Sequence, residues 1–267
     1  MKIYIALVTA AAIQSSSATK PQLTVEVHNG NFADIEGLDP KITWEASGES
    51  GDFDLEGGVE VAARPTSDLA SLPRSIWGKA SREWKGWGVS ARAELESDKP
   101  SQAQIELEAE HEEDDISMKI TASAGKELAV AKVEGIKGFD AGDDGNSHIT
   151  INPRWDVDRE DGDVILGWEN DKTYVEVIAN RDDQSLRVSR QIDEKNRVAP
   201  FFATNGTLAV EWEREIGEDN TITTTVIADE SVEIEWKDHE WTANVEVPLD
   251  GTGIDNVSMK VKREVKF

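Results

Sequence analysis

An all-β fold is predicted, as antiparallel meander sheets from two tandem pseudo-symmetric repeats, with a single closed β-barrel as the alternative. Three observations lead there. Apolar and polar residues alternate in steps of two through nearly every segment. Polar turn clusters separate these segments at hairpin spacing, and several short words recur in the same order in both halves of the chain.

In chain order, QLTVEVH and KITWEAS open the alternating series. VSARAELES then sets Val89, Ala91, Ala93 and Leu95 against Ser90, Arg92, Glu94 and Glu96. AQIELEAE places Ala103, Ile105, Leu107 and Ala109 on one face and four polar side chains on the other. The glutamates around 104–113 also tolerate a helix, but strict alternation decides for a strand. ISMKITA, HITINPRWDV, TLAVEWERE, TITTTVIAD, SVEIEWKD, WTANVEV and VSMKVKREVKF continue the pattern. Val, Ile, Thr and Trp enrichment supports half-buried antiparallel strands, on the order of sixteen in all. SDKP (97–100), AGDDGN (141–146), REDGD, ANRDDQ, GEDN and PLDGTG supply the turns.

The repeated words define the halves. Trp44, Gly51 and Asp52 recur as Trp155, Gly162 and Asp163, all at an offset of 111. Val59-Glu60-Val61 returns as Val175-Glu176-Val177, Gly88 matches Gly206, and the strand at Ile116–Ile120 matches that at Val257–Val261. The offset only grows, as in a duplicated unit with insertions in its second copy. This divides the chain into a signal peptide at 1–18, a first β repeat at 19–137 and a second at 138–267, with the boundary in the Gly- and Asp-rich stretch 135–147. Lys2, the apolar run after it and Ser16-Ser17-Ala18 read as a secretory signal. Delivery through the secretory pathway follows, to an extracellular or endomembrane lumen unless a further address intervenes. Asn205 and Asn256 fit the glycosylation sequon.

Composition excludes several functions. The 267 residues carry 54 Asp plus Glu against 28 Lys plus Arg, a formal charge of −26, which repels nucleic-acid phosphates. There is no cysteine, hence no disulfide and no thiolate metal site. His28, His111, His148 and His239 lie scattered, without zinc-ligand spacing. The acidic run 156–163 puts Asp161 and Gly167 where an EF-hand needs Gly and Glu, so it reads as a hairpin turn. No nucleophile elbow, phosphate-cradling loop or dinucleotide fingerprint is present. A non-enzymatic protein with no cofactor and no metal is expected.

Contact chemistry is better represented. Trp44, Trp155, Trp168, Trp212, Trp236 and Trp241 fall in alternating strands and are expected to pack in a core. Residues 65–87 break the alternation and combine Arg74, Trp77, Arg82, Trp84, Lys85 and Trp87 in an otherwise acidic chain. With Val265 and the terminal Phe267 they form the expected assembly interface, suited to an acidic neighbour such as a second copy. A terminal Phe on an alternating strand also fits a bacterial-type outer-membrane barrel, or a strand that enters a groove of a neighbour. Only 2 Tyr, no clear aromatic girdles in the sequence, and short Ala-rich apolar faces weigh against the barrel.

LPRSIWGK, GWGVSARAE, TNGTLAVEWERE, VEIEWKDHEWTANVEVPLDG and VKREVKF resemble the pyrenoid shell protein family of diatoms and related algae. The resemblance covers residues 36–267. It implies two related regions with pseudo-two-fold symmetry, self-assembly into a protein sheet or tube, plastid location, and Rubisco or other pyrenoid components as partners beside the chain itself. Thr19 after the cleavage point departs from the aromatic residue that diatom plastid delivery favours. The expected function is therefore that of a structural, sheet-forming protein, with a porin-like β-barrel of a plastid envelope, the only reading that calls for a membrane, as the alternative.

Overall fold

Segments that alternate in steps of two and end at Gly, Asp or Asn turns form hairpins, and hairpins in series form a meander. The computed structural model is that: every regular element described is a strand, and successive strands pair antiparallel. It describes residues 17–18, 22–28, 41–62, 72–142, 146–249 and 257–266. Residues 1–16 of the expected signal peptide, all of the Pro- and Ser-rich stretch 65–71, part of AGDDGN, the sequon residue Asn256 and Phe267 lie outside them.

The first half runs through β1 (Ser17–Ala18), β2 (Gln22–His28), β3 (Lys41–Ser50), β4 (Phe53–Ala62), β5 (Pro73–Trp84), β6 (Trp87–Glu96), β7 (Ala103–His111), β8 (Ile116–Ala124) and β9 (Leu128–Ala141). The second continues with β10 (Ser147–Asp156), β11 (Asp161–Asn170), β12 (Thr173–Asn180), β13 (Gln184–Gln191), β14 (Asn196–Ala203) and β15 (Leu208–Glu215). It ends with β16 (Asn220–Ile227), β17 (Ser231–Asp238), β18 (Trp241–Pro248) and β19 (Ser258–Lys266). Each strand from β3 to β18 pairs with both sequence neighbours. β19 pairs with β18 on one side and with β2 on the other, from Lys260↔His28 to Lys266↔Gln22. β2 in turn pairs with β3 over Gln22↔Thr43 to Thr24↔Lys41, and β1 extends that seam at Ser17↔Ser47 and Ala18↔Ala46. The ladder thus returns on itself.

The two ends of this ring differ. At one end lie the tight connections 51–52, 85–86, 112–115, 142–146, 171–172, 192–195, 216–219 and 239–240, together with the end of β19 and the start of β2. The other end carries the longer connections 29–40, 63–72, 97–102 and 249–257 among short turns. The Lys85-Gly86 turn illustrates the tight end. Both residues take positive φ, 53° and 84°, as a two-residue hairpin of primed type requires.

Register settles the faces. Ile149 lies opposite Phe139 and Trp168, Leu166 opposite Ile151 and Val177, and Val210 opposite Pro200 and Val226. Large apolar side chains therefore line up on one face and charged ones on the other, with exceptions such as Ile136 and Phe201. A single layer has no interior. The only buried apolar residues among those described are Ala62, Ala122 and Ala199, and no large side chain is fully buried. The chain exposes 18340 Å², where a compact chain of its mass exposes roughly 11500 Å². The tryptophans expected in a core are accordingly not there: Trp44 is 50% and Trp155 49% exposed, because no described element packs over the sheet.

The expected repeat maps unevenly onto the strands. Trp44 and Trp155 fall on β3 and β10, Gly88 on β6 while Gly206 precedes β15, and the two Ser-Met-Lys words on β8 and β19. These steps are odd, so the matched words run in opposite directions around the ring; only the Val-Glu-Val words, on β4 and β12, run the same way. A rotation about the ring axis relates strands of like direction alone. Residues 137 and 138 both lie inside β9.

Candidate functional site

The functional surfaces of a one-layer ring are its two faces. The polar face is bound together by ion pairs between neighbouring strands. Arg154 of β10 donates from Nε and a terminal nitrogen to both carboxylate oxygens of Asp163 of β11, at 2.6 and 2.5 Å. Arg187 reaches across β14 to Glu211 at 2.5 Å, and Arg197 meets Glu213 at 2.8 Å. Lys119 bridges Glu106 at 2.7 Å and Glu108 at 3.0 Å, and Tyr174 donates its hydroxyl to Glu176 at 3.1 Å. Bidentate and bridged geometries hold each cation in place. Acidic side chains still outnumber basic ones on this face. A hollow of about 560 Å³ across β15–β19 is lined by Glu211, Glu233, Glu235, Glu246, Asn244 and Lys260, with Thr223 and Thr225 between them.

The apolar face ends, at the tight-turn end, in an aromatic rim. Phe53, Trp84, Trp87, Phe139, Trp168, Trp212, Trp236 and Trp241 all stand in the tight-turn half of their strands. Cations stand among them. Arg82 lies over the Phe53 ring at 5.0 Å, Lys85 over Trp84 at 4.9 Å, Lys137 over Phe139 at 5.2 Å and Arg263 over Trp241 at 4.9 Å. Arg190 and Arg214 occupy the same rim on β13 and β15, by their register against Thr173 and Asn196.

The sequence-predicted interface is partly gathered and partly split. Residues 73–87 form a regular hairpin where broken alternation suggested irregular structure. Trp77 and Trp84 are seven residues apart on one strand, so they face opposite ways. Trp77 lies on the polar face, over the Arg92 guanidinium at 4.2 Å. Its ring fills the place where a side chain on Gly58 would project, 2.5 Å from that position, so any larger residue there has to move the ring. Arg82, Trp84, Lys85 and Trp87 share the apolar rim, with Trp87 against the His111 ring at 5.2 Å. Arg82 Nε is buried and has no hydrogen-bond partner among the described residues. Arg74 sits at the opposite end, beside the bulge between β4 and β5, and its carbonyl accepts from Ser97 N–H. Val265 pairs with Leu23 inside the ring, so β19 is not a free edge.

Sequence reasoning did not single out Lys137, Arg190, Arg214 and Arg263 of the rim, nor the arginines of the polar face. The available signal was position: each rim cation stands close to a tight turn and in phase with the apolar residues of its strand. His148, 2.9 Å from Asp115 and 3.3 Å from Asp140, closes the polar face at the tight-turn end.

No protein-family model matches the chain, and no curated protein does. Among solved structures, a multiply substituted Rh. blastica porin is 8% identical, with 94% of this chain and 100% of that one covered and a TM-score of 0.45. A protein described under asymmetric conductivity of engineered proteins is 7% identical at the same coverages, with a TM-score of 0.44. The outer-membrane OmpT of Vibrio cholerae is 11% identical, with 94% and 97% covered and a TM-score of 0.31.

Proposed function

We propose that the chain is a membrane-spanning β-barrel of porin type, with the apolar face toward lipid and the acidic face lining a channel for small hydrophilic solutes, cations ahead of anions. One observation carries this reading: a ring of strands without a core, most of whose large apolar side chains share one uncovered face. In water that face costs about 25 cal/mol for each Å² left wet. Lipid removes the cost and demands that backbone groups be paired, which the strand ladder provides except along the β2–β3 seam, where three residue pairs and the two of β1 make the join. Eighteen strands, β2 to β19, spaced about 4.8 Å and tilted about 40°, give a circumference of roughly 110 Å and leave room for water inside. A ten-residue strand such as β10 then rises roughly 25 Å, the height of an outer-membrane apolar band.

The channel chemistry follows from the charges. Arg154, Arg187 and Arg197 are each held by a carboxylate, so the surplus carboxylates set the potential in the lumen, and a negative lumen draws in cations. Alkaline extraction followed by planar-bilayer recording tests the reading. Retention in the membrane pellet and stepwise, cation-preferring conductance are expected; release into the supernatant would sink it.

A second reading is a self-assembled shell like that of the pyrenoid shell family, with Rubisco or related components enclosed. The uncovered apolar face and the exposed Trp84, 54% accessible, support it, since a protein neighbour would cover them as lipid would. Growth by edge pairing has little to build on, because β19 is already paired on both sides. Detergent-resistant sheets or tubes in negative stain, without conductance, would favour the shell.

A further inference from the structure

We propose that the rim at the tight-turn end is a collar for the phosphates of anionic phospholipid headgroups, and that it determines which leaflet this end of the barrel occupies. The proposal rests on the membrane reading. Its ground is the placement of charge on the apolar face. In a chain of charge −26, the charged strand positions in register with that face are Arg82, Lys137, Arg190, Arg214, Arg263 and one acid, Asp238. All stand in the tight-turn half of their strands. The loop-end half of the same face carries Trp44, Leu128, Trp155, Phe202 and Leu208, with no charge among the described strand residues.

The contacts fit headgroup depth. Four of the five cation–aromatic pairs among the described residues lie on this rim, and the fifth, Arg92 with Trp77, is on the polar face. An aromatic ring at the interface with a cation beside it leaves the charge level with the phosphates. Each Lys or Arg near an anionic surface adds to its attraction for that surface. Beyond the strand cations the turns are mainly acidic, with Asp114, Asp193, Asp219 and Glu240 among the acids and Lys85, Lys172 and Lys195 among the bases. A soluble polyanion approaching end-on meets those carboxylates first. Lipid in the leaflet reaches the collar from the side, so lipid is the occupant that the arrangement admits.

The chain is mixed with phosphatidylcholine vesicles and with phosphatidylcholine–phosphatidylglycerol vesicles, and the ratio of inserted fractions is read by flotation. A collar variant carries Arg82→Gln, Lys137→Gln, Arg190→Gln and Arg214→Gln. A control of equal net charge carries Lys99→Gln, Lys126→Gln, Arg159→Gln and Arg181→Gln, all in loop-end turns. The collar variant is expected to insert in phosphatidylcholine but to lower the anionic-to-neutral ratio by roughly tenfold or more against wild type. The control is expected to change it by less than about twofold. A control that falls as far as the collar variant, or a collar variant that keeps the wild-type ratio, overturns the collar and leaves the barrel standing. Wild type that floats with neither vesicle overturns the barrel and the collar with it.

Discussion

Leu166→Arg separates a lipid-facing surface from a wet one. Leu166 lies mid-strand in β11, opposite Ile151 and Val177, and is 44% exposed. On a protein surface in water, replacing an exposed Leu changes stability by about 0.5 kcal/mol or less. At the midplane of a membrane barrel the same arginine costs about 2–4 kcal/mol, a factor of roughly 30–700 in the folding equilibrium. Two companions fix the interpretation. Ile165→Arg places the charge next door but on the polar face, opposite Asn152 and Ile178, where about 1 kcal/mol or less is expected. Ser50→Arg places it on the apolar face at the tight-turn rim, opposite Phe53, where about 0–1 kcal/mol is expected. Urea titration of vesicle-inserted protein, followed by tryptophan fluorescence, reads all three. The expected order is Leu166→Arg far below the other two. Three midpoints within about 0.5 kcal/mol of wild type would refute a lipid-facing apolar surface.

Gly58→Val should displace the Trp77 ring from its seat over Arg92 and cost about 1–3 kcal/mol, seen as a lost near-ultraviolet dichroism band and a lower urea midpoint. Replacing Glu233, Glu235 and Glu246 together by Gln should move the reversal potential toward weaker cation preference in a salt gradient; an unchanged potential would assign selectivity elsewhere in the lumen. In the turn between β13 and β14, Asp193 accepts from Lys195 N–H and from Asn196, which holds its carboxyl below the ordinary value of 3.8. Its contribution to stability is therefore full above the unfolded pKa and fades as pH falls through the folded one. Asp193→Ala should remove that part of the acid dependence and speed amide exchange at Asn196.

Strand identity was legible because each strand of one layer shows half its residues to each side, and alternation records that in plain form. AQIELEAE and SVEIEWKD became β7 and β17 with almost the same limits. Closure was not legible: β19 and β2 are separated by most of the chain, and no local pattern encodes their pairing. The tryptophans misled for a related reason. An apolar face in phase with Trp155 or Trp212 reads as a face turned to a core, and alternation does not say what covers it. The rim was hidden by distance along the chain. Arg82 and Arg214 meet the same edge of the sheet only once every intervening hairpin has its register. The segment 65–87 hid a strand because Gly78, Lys79 and Ala80 blur the contrast between its two sides.

A mean hydropathy of −0.50 and a charge of −26 argue at first against any place in a membrane. The geometry of a ring removes the conflict. A spanning helix presents nearly all its side chains to lipid and must be apolar throughout, whereas a barrel strand presents every second one. In β15 the alternation is complete: Leu208, Val210 and Trp212 on one face, Glu211, Glu213 and Glu215 on the other, and Arg214 at the rim. Averaging over such a strand gives the hydropathy of a soluble segment, although its apolar half is as greasy as a helix of the same height. The charge then sits mainly on the polar face and in the turns. The acid that makes the whole chain look soluble is kept off the apolar face, the one the barrel reading turns to lipid, and where charge does reach that face, at its rim, all but Asp238 of it is positive.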